Sequence, residues 1–137
     1  MADKLSKQQR SKVMSAVRSR DTKPELQVRR LVHGMGYRYR LHGADLPGRP
    51  DLVFRPRRKV IFVHGCFWHG HSCGAGARPT SNTKFWNAKI DENVTRDRRN
   101  RERLTELDWQ YLEIWQCELK QLDVVRERIV QFLEPTN

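Results

Sequence analysis

The sequence predicts an α/β fold in which helices flank one mixed β-sheet. Hydrophobic patterns alternate between helical and strand periodicity in the order helix, three strands, helix, strand, helix. The step from a strand at 60–63 to a strand at 109–115 passes through a long helix, so these two strands must be parallel, whereas short turns join the earlier ones. A chain of 137 residues forms one hydrophobic core rather than two, so we expect a single domain over residues 21–137.

The N-terminal part of the chain contains two predicted helices. Residues 6–18 are predicted to form a short basic helix with few apolar side chains to bury, so residues 1–20 are predicted to be a helical arm that lies on a partner. The second helix begins at Thr22, because a threonine cap, a proline in the first turn and Glu25 three residues after the cap match a capping box. Glycines on either side of residue 35 end this helix.

The remaining elements follow from alternation and helical spacing. Alternating tyrosines and arginines, and then short β-branched runs, are typical of strands, whereas apolar residues three or four apart are typical of helices. The predicted strands are residues 37–41, 51–54, 60–63 and 109–115, and the later helices are residues 84–107 and 122–132.

Positive charge is concentrated in the first half of the chain. Residues 1–64 contain 16 Lys and Arg against 5 Asp and Glu, whereas residues 65–137 contain 11 of each. The whole net charge of +11 therefore belongs to the first 64 residues. A one-sided basic field favours binding to a polyanion such as nucleic acid, and an ordinary basic surface is the simpler alternative.

Several classes of protein are excluded at this point. No apolar run approaches the roughly 20 residues that span a membrane, and the charged N-terminus is not followed by the apolar segment of a secretory signal. We therefore expect a cytoplasmic protein. Three cysteines, an odd number without an export signal, argue against a disulfide scaffold.

A compact cluster of cysteines and histidines predicts a zinc site. The Gly-rich loop at 65–82 contains Cys66, His71 and Cys73, and Cys117 follows the last predicted strand. These four residues match a closed tetrahedral Cys3His site, which is structural rather than catalytic. His71 is preferred to His69 because only one residue separates it from Cys73, whereas His69 follows two aromatic residues; incidental histidines beside buried thiols are the alternative.

A second group of residues suggests metal-dependent phosphodiester cleavage. Asp51 opens one strand and His64 ends the antiparallel strand after it, so both belong to one edge of the sheet. Glu25 is a further candidate, although a capping box alone explains a glutamate at this position. Asp97 lies among arginines on the long helix, where an exposed salt-bridging role is equally consistent with its spacing.

These segments together resemble the very short patch repair (Vsr) endonuclease family. The resemblance covers nearly the whole chain. A simultaneous match in so many segments is very improbable by chance. It is carried by LPGRPD at 46–51, VIFVHGCFWH at 60–69 with His71 and Cys73, FWNAKIDENVTRDRR at 85–99, IWQC at 114–117 and RSKVMSAVRSRDTKPE at 10–25.

The resemblance implies a fold and an activity. Members of this family resemble restriction endonucleases, with a mixed sheet between helices. They nick duplex DNA on the 5′ side of the thymine in T·G mismatches, which arise when 5-methylcytosine deaminates. The family therefore implies Mg²⁺ as catalytic cofactor, Zn²⁺ as structural cofactor, mismatched double-stranded DNA as partner and a location at the bacterial nucleoid.

The resemblance also implies a role for each residue of the catalytic centre. Asp51 binds Mg²⁺ together with the backbone carbonyl of Val63, and Glu25 holds metal-bound water. His69 activates water and is oriented by Asp97, whereas His64 lies beside the scissile phosphate. The usual restriction-nuclease signature, an acidic residue and a lysine, is replaced here by Phe62 and His64, which leaves the number of metal ions open.

Further residues match the zinc ligands and the DNA contacts of the family. The zinc set is the one found above, Cys66, His71, Cys73 and Cys117. Phe67, Trp68 and Trp86 match aromatic side chains that wedge into the base stack, although most aromatic residues belong to a core. Lys89 and Asn93 match residues that face the T·G pair.

Two other functions are compatible with parts of this pattern. A zinc-containing DNA-binding module without catalysis explains the charge, the cysteines and the wedge aromatics. It leaves four residues without a role, namely Asp51, His64, His69 and Asp97. A thiol redox or metal-sensing protein explains only the cysteine loop. We expect a monomer, because a single mismatch has no two-fold axis, and other mismatch-repair proteins are candidate partners.

Overall fold

A computed structural model describes residues 22–135, so the predicted arm at 1–20 lies outside the described residues. Four strands and three helices follow in the predicted order. The helices are α1 (Lys23–Gly34), α2 (Thr83–Glu106) and α3 (Leu122–Leu133), and the strands are β1 (Arg40–Leu41), β2 (Leu52–Phe54), β3 (Lys59–His64) and β4 (Gln110–Trp115).

The four strands form one mixed sheet in the order β1-β2-β3-β4. β1 pairs with β2 and β2 with β3 in antiparallel fashion, whereas β3 and β4 are parallel from Lys59 opposite Gln110 to His64 opposite Trp115. The predicted crossover through the long helix is therefore confirmed. Because β3 and β4 are parallel, their C-terminal ends lie side by side, and the loops that follow both strands begin next to each other.

Helices cover both faces of the sheet. Alternate residues of β2 and β3 point to opposite faces, so the two central strands are buried on both sides. One face packs against α1 and α3 through Val28, Val32, Leu52, Ile61, Ile114, Val125 and Ile129. The other face packs against α2 through Val53, Val60, Phe62 and Leu104.

The strand bounds differ from the predicted ones mainly at the first strand. The alternation at 37–41 predicted five residues, but β1 contains only Arg40 and Leu41. Tyr37 and Tyr39 pack against the core before the ladder begins, and the Arg57 guanidinium lies 5.4 Å from the centre of the Tyr37 ring. Apolar packing alone therefore explains the alternation in this segment.

None of the helices within residues 22–135 combines the length and the apolar composition that crossing a membrane requires.

Candidate active site and metal centre

The C-terminal ends of β3 and β4 position a cluster of polar side chains against α2. Along β3, the side chain of His64 points to the same face as that of Phe62, and the two rings stack with centroids 5.6 Å apart. The loop after β3 brings the His69 ring within 4.1 Å of the His64 ring, and α2 supplies Asp97. One ligand atom from each of His64, His69 and Asp97 lies within 4.8 Å of the other two.

Asp97 holds His69 in one orientation. His69 Nδ1 lies 2.5 Å from Asp97 Oδ2, and the Asp97 side chain is only 13% exposed. Burial would raise the pKa of Asp97, but the hydrogen bond from His69 and the nearby positive charges hold it below its usual value. The ionised carboxylate can only accept, so His69 donates from Nδ1, and the neutral ring keeps its lone pair on Nε2.

Glu113 and Arg101, which the sequence analysis did not identify, complete this cluster. His64 Nε2 lies 2.8 Å from Glu113 Oε2, and Arg101 donates to the same oxygen at 3.1 Å. The pKa of Glu113 lies below its usual value because the contacts with His64 and Arg101 outweigh its burial. Burial lowers the pKa of His64, which favours the neutral ring. The sequence contained one signal for Glu113, which is a charged residue that alternates with Tyr111 and Trp115 and so shares their face of the strand.

A second cluster surrounds Asp51, just before β2. Asp51 Oδ2 accepts a hydrogen bond of 2.7 Å from the backbone amide of Val63, the residue that precedes His64. Burial, and then the neighbouring Glu25 carboxylate, raises the pKa of Asp51 to about 8. Asp51 was predicted to meet His64, but it contacts the end of β3 only through the Val63 backbone amide, and the His64 side chain belongs to the cluster with His69 and Asp97.

Glu25 has a different environment from the one that a capping box implies. The Glu25 amide donates to the Thr22 side chain at 3.3 Å, so the predicted threonine cap is confirmed. The Glu25 side chain, however, is 1% exposed and contacts the Arg29 guanidinium and the imidazole of His42. Helix capping therefore does not account for this glutamate.

The three cysteines and His71 converge beyond the ends of the parallel strands. Cys66 and Cys117 each follow their strand by two residues, and the Cys117 amide donates to Cys66 Sγ at 3.3 Å. His71 Nδ1 lies 3.5 Å from Cys117 Sγ. All three thiols are free, and the four potential ligand atoms, including that of Cys73, lie within 4.8 Å of one another. This geometry is compatible with one tetrahedral metal ion.

The pKa values of the cysteines and the tight backbone of the loop are both compatible with metal binding. The hydrogen bond with His71 lowers the pKa of Cys73 to about 6, and the thiolate is the form that binds metals. Burial raises the pKa of Cys66 to about 12, which disfavours its thiolate in the absence of a cation. Gly76 must be a glycine, because a Cβ atom there would lie 2.1 Å from the His71 carbonyl oxygen.

Three of the predicted DNA-contacting residues form an aromatic cluster. The rings of Phe67, Trp68 and Trp86 meet edge to face, with centroids 5.1 to 5.8 Å apart. Phe67 and Trp68 are half-buried, whereas Trp86 is only 5% exposed. The loop residues therefore form the accessible part of the cluster, and Trp86 forms its base.

The two residues expected to face the mismatch lie one turn apart on α2. Lys89 is partly exposed, whereas Asn93 is 6% exposed and donates from Nδ2 to the Trp68 carbonyl oxygen at 2.9 Å. Asn93 thus links α2 to the loop that contains the aromatic cluster.

Comparison with known proteins identifies the family. Residues 2–75 match the family described as DNA mismatch endonuclease Vsr. The chain is 48% identical to the type II nicking enzyme V.XorIIP of Xanthomonas oryzae pv. oryzae over 99% of this chain and 100% of the relative.

Two further relatives are similar over most of their length. The type II nicking enzyme V.NmeAIP of Neisseria meningitidis is 42% identical over 94% of this chain and 92% of its own. The DNA mismatch endonuclease Vsr of Escherichia coli is 48% identical over 88% of this chain and 77% of its own. With half of the chain matched by the family and relatives at this identity, the chain belongs to the Vsr family of DNA mismatch endonucleases.

Proposed function

We propose that this chain is a Mg²⁺-dependent endonuclease that nicks duplex DNA on the 5′ side of the thymine in a T·G mismatch and so starts very short patch repair. The main support is the placement of a partly buried carboxylate, Asp51, on the backbone of β3, the strand whose end presents His64 to His69 and Asp97. The basic first half of the chain and the names of the relatives, a mismatch endonuclease and nicking enzymes, agree with this proposal.

The donor set around Asp51 fits a divalent cation. The partly buried Asp51 carboxylate contacts the buried Glu25 carboxylate, and burial followed by the Glu25 charge raises the pKa of Asp51. Asp51 and the backbone carbonyl of Val63 would hold Mg²⁺, and Glu25 would hold its water. Such an ion supplies charge stabilisation for the phosphate during displacement.

His69 is proposed as the general base. Asp97 fixes the ring through Nδ1, so that Nε2 of the neutral imidazole can accept a proton from water. The ionised Asp97 also stabilises the imidazolium that forms after proton transfer.

His64 is proposed to lie beside the scissile phosphate. Glu113 fixes its ring through Nε2, and His64 is buried between Phe62, His69 and Trp115. A phosphodiester anion next to the ring would favour the protonated form that burial disfavours.

The Cys3His cluster is proposed to bind one structural Zn²⁺. Four protein ligands leave no open position for a substrate. The ion would tie the loop after β3 to the chain after β4, and that loop contains both His69 and the aromatic cluster. Zinc would therefore hold the base and the wedge in place.

Phe67, Trp68 and Trp86 are proposed to open the base stack at the mismatch. Inserting apolar side chains between base steps costs a few kcal/mol of unstacking, and a mismatch lowers this cost. Phe67 and Trp68 would enter the stack while the buried Trp86 supports them from α2. Lys89 and Asn93 would then face the T·G pair.

Trp68→Ala should weaken binding to a T·G duplex about tenfold more than binding to the matched duplex, because base–aromatic stacking contributes about 1–3 kcal/mol per base. Fluorescence anisotropy with both duplexes at fixed salt measures the two losses. Trp68→Phe, which keeps an aromatic face, should retain most of the preference. Equal losses on both duplexes would identify Trp68 as a packing residue.

We also propose a domain organisation and an oligomeric state for the protein. The described sheet and helices are compatible with a restriction-endonuclease-like domain over residues 21–137. Residues 1–20 would form a basic arm on the DNA, and the protein would act on the nucleoid as a monomer.

A strand-specific nicking assay tests the proposed function. Duplexes that carry T·G or C·G at one position, with each strand labelled separately, are incubated with saturating protein and Mg²⁺. We expect one nick, 5′ of the thymine, only in the T·G duplex and only with the metal. Tight binding to the T·G duplex without any nick would favour a zinc-containing binding module without catalysis.

A further inference from the structure

His42 lies in the Asp51 cluster, where neither the sequence patterns nor the family resemblance assign it a role. One ligand atom from each of Glu25, His42 and Asp51 lies within 4.8 Å of the other two. Ligand atoms around an octahedral ion with metal–oxygen distances of about 2.1 Å are roughly 3 to 4.2 Å apart. Small side-chain movements would therefore bring the His42 and Asp51 atoms onto one ion, with Glu25 close enough to hold a water molecule bound to it.

The hairpin between β1 and β2 positions His42 beside Asp51. Arg40 pairs with Val53 and Leu41 with Leu52, and the His42 amide continues this ladder by donating to the Asp51 carbonyl oxygen at 3.2 Å. His42 also has a left-handed backbone with φ of 49°. This conformation is uncommon outside glycine, and such strained residues cluster at functional sites.

The cluster has the charge of a cation site. Glu25 and Asp51 are two carboxylates in contact, and His42 Nε2 lies 2.9 Å from Glu25 Oε2. The Arg29 guanidinium contacts the same Glu25 oxygen and lies 3.1 Å from His42 Nε2. A positive group therefore lies against both Glu25 and His42.

We propose that His42 Nε2 is a ligand of the divalent ion held by Asp51, which gives this site a mixed nitrogen and oxygen donor set. The inference depends on one part of the proposed function, namely that Asp51 binds a cation. Imidazole suits later transition metals, whereas Mg²⁺ prefers oxygen ligands, so the site should accept Co²⁺ in preference to Mg²⁺.

Calorimetric titration of the zinc-loaded, DNA-free protein with Co²⁺ and with Mg²⁺ tests the role of His42. In His42→Gln an amide oxygen replaces the imidazole nitrogen. We expect Co²⁺ affinity to fall about tenfold or more, since even the partners that orient metal ligands contribute about 10- to 100-fold. Mg²⁺ affinity should change less than about threefold, because oxygen donors remain.

Two matched variants make the result specific. His33→Gln removes an exposed histidine of α1 and should leave both affinities unchanged. Asp51→Asn should weaken both metals together. Zinc content is measured before and after each titration, so that exchange at the cysteine cluster is detected.

The parent protein provides a second test that does not depend on how a variant folds. In a ¹⁵N-histidine NMR spectrum, substoichiometric Co²⁺ should broaden or shift the ring signals of His42 and leave those of His33 unchanged. A His42 signal that is unaffected while Co²⁺ binds would overturn the inference.

The two proposals fail in distinguishable ways. If the parent binds neither ion in the calorimeter nor nicks with Mg²⁺, the cation site itself and the proposed metal-dependent nicking are both wrong. If the parent binds both ions and His42→Gln keeps the same ratio of Co²⁺ to Mg²⁺ affinity, only the role of His42 is wrong.

Discussion

Replacing Asp51 with Asn should reduce the single-turnover rate of T·G nicking by at least about 10³-fold. A catalytic metal ion contributes several kcal/mol to the stabilisation of the transition state, and each 1.4 kcal/mol corresponds to a factor of ten in rate. The asparagine side-chain oxygen can still accept the hydrogen bond from the Val63 amide, so the strand should keep its geometry. Binding of the mismatched duplex should therefore change little.

The measurement is nicking of a labelled T·G duplex at protein concentrations that saturate binding. Asp45→Asn is the matched control, because Asp45 is an exposed carboxylate in the turn between β1 and β2 that pairs with Arg55. His69→Ala should lose about 10²- to 10⁴-fold, as is typical of a missing general base. Nicking by Asp51→Asn at the parent rate would exclude the proposed catalytic centre.

The same variant has an expected effect on stability. Burial, followed by the Glu25 charge, raises the pKa of Asp51 in the folded chain from 3.8 to about 8. Between these values the folded state binds more protons than the unfolded state, so the free energy of unfolding falls as pH rises from about 4 to about 8. Asp51→Asn removes this dependence. Without added Mg²⁺, its melting temperature should decrease less between pH 5 and pH 8 than that of the parent.

The sheet was predictable because its signals are local. The β-branched run at 60–63 and the strand pattern at 109–115 lie on either side of a long helical repeat, and only a parallel crossover satisfies that order. The parallel pairing of β3 and β4 then explains why Cys66 and Cys117, which are distant in sequence, become neighbours. The cysteine cluster could therefore be predicted from the topology together with the residue types.

The environments of Glu25 and His42 could not be predicted in the same way. The residues around Glu25 match a helix start, and the threonine cap is indeed present. The Glu25 carboxylate, however, contacts His42 and Arg29. That contact depends on the register of a two-residue strand and on a left-handed residue at its end. Neither feature has a sequence pattern of its own.

Asp97 is an intermediate case. Its neighbours on α2 are arginines, so spacing alone allowed a solvated salt bridge. The structure brings Asp97 onto His69 because the loop after β3 folds back over α2, where Gly70 lies against Ile90 and Val94. A side chain at Gly70 would lie 2.9 Å from Val94, so this close approach of loop and helix depends on the glycine.

Removal of zinc should unfold the loop after β3 and lower the melting temperature by many degrees. Apparent binding free energies of structural zinc are about 10–16 kcal/mol, which is comparable to the whole stability of a small domain. The purified protein should contain about one zinc per chain, and Cys117→Ser should lose zinc as readily as Cys66→Ser, since each variant leaves three of four ligands. Elemental analysis and thermal unfolding measure the two effects.

The zinc content and melting temperature of these variants also distinguish zinc binding from the alternative in which the cysteines are packing residues. All three cysteines of the chain belong to the cluster, so Ser72→Ala, an exposed serine of the same loop, is the matched control and should keep full zinc. After treatment with a chelator, Zn²⁺ should restore the melting temperature and Mg²⁺ should not, because thiolate ligands favour zinc. A Cys117→Ser protein that is less stable but retains one zinc would show that Cys117 packs beside the site without binding the metal.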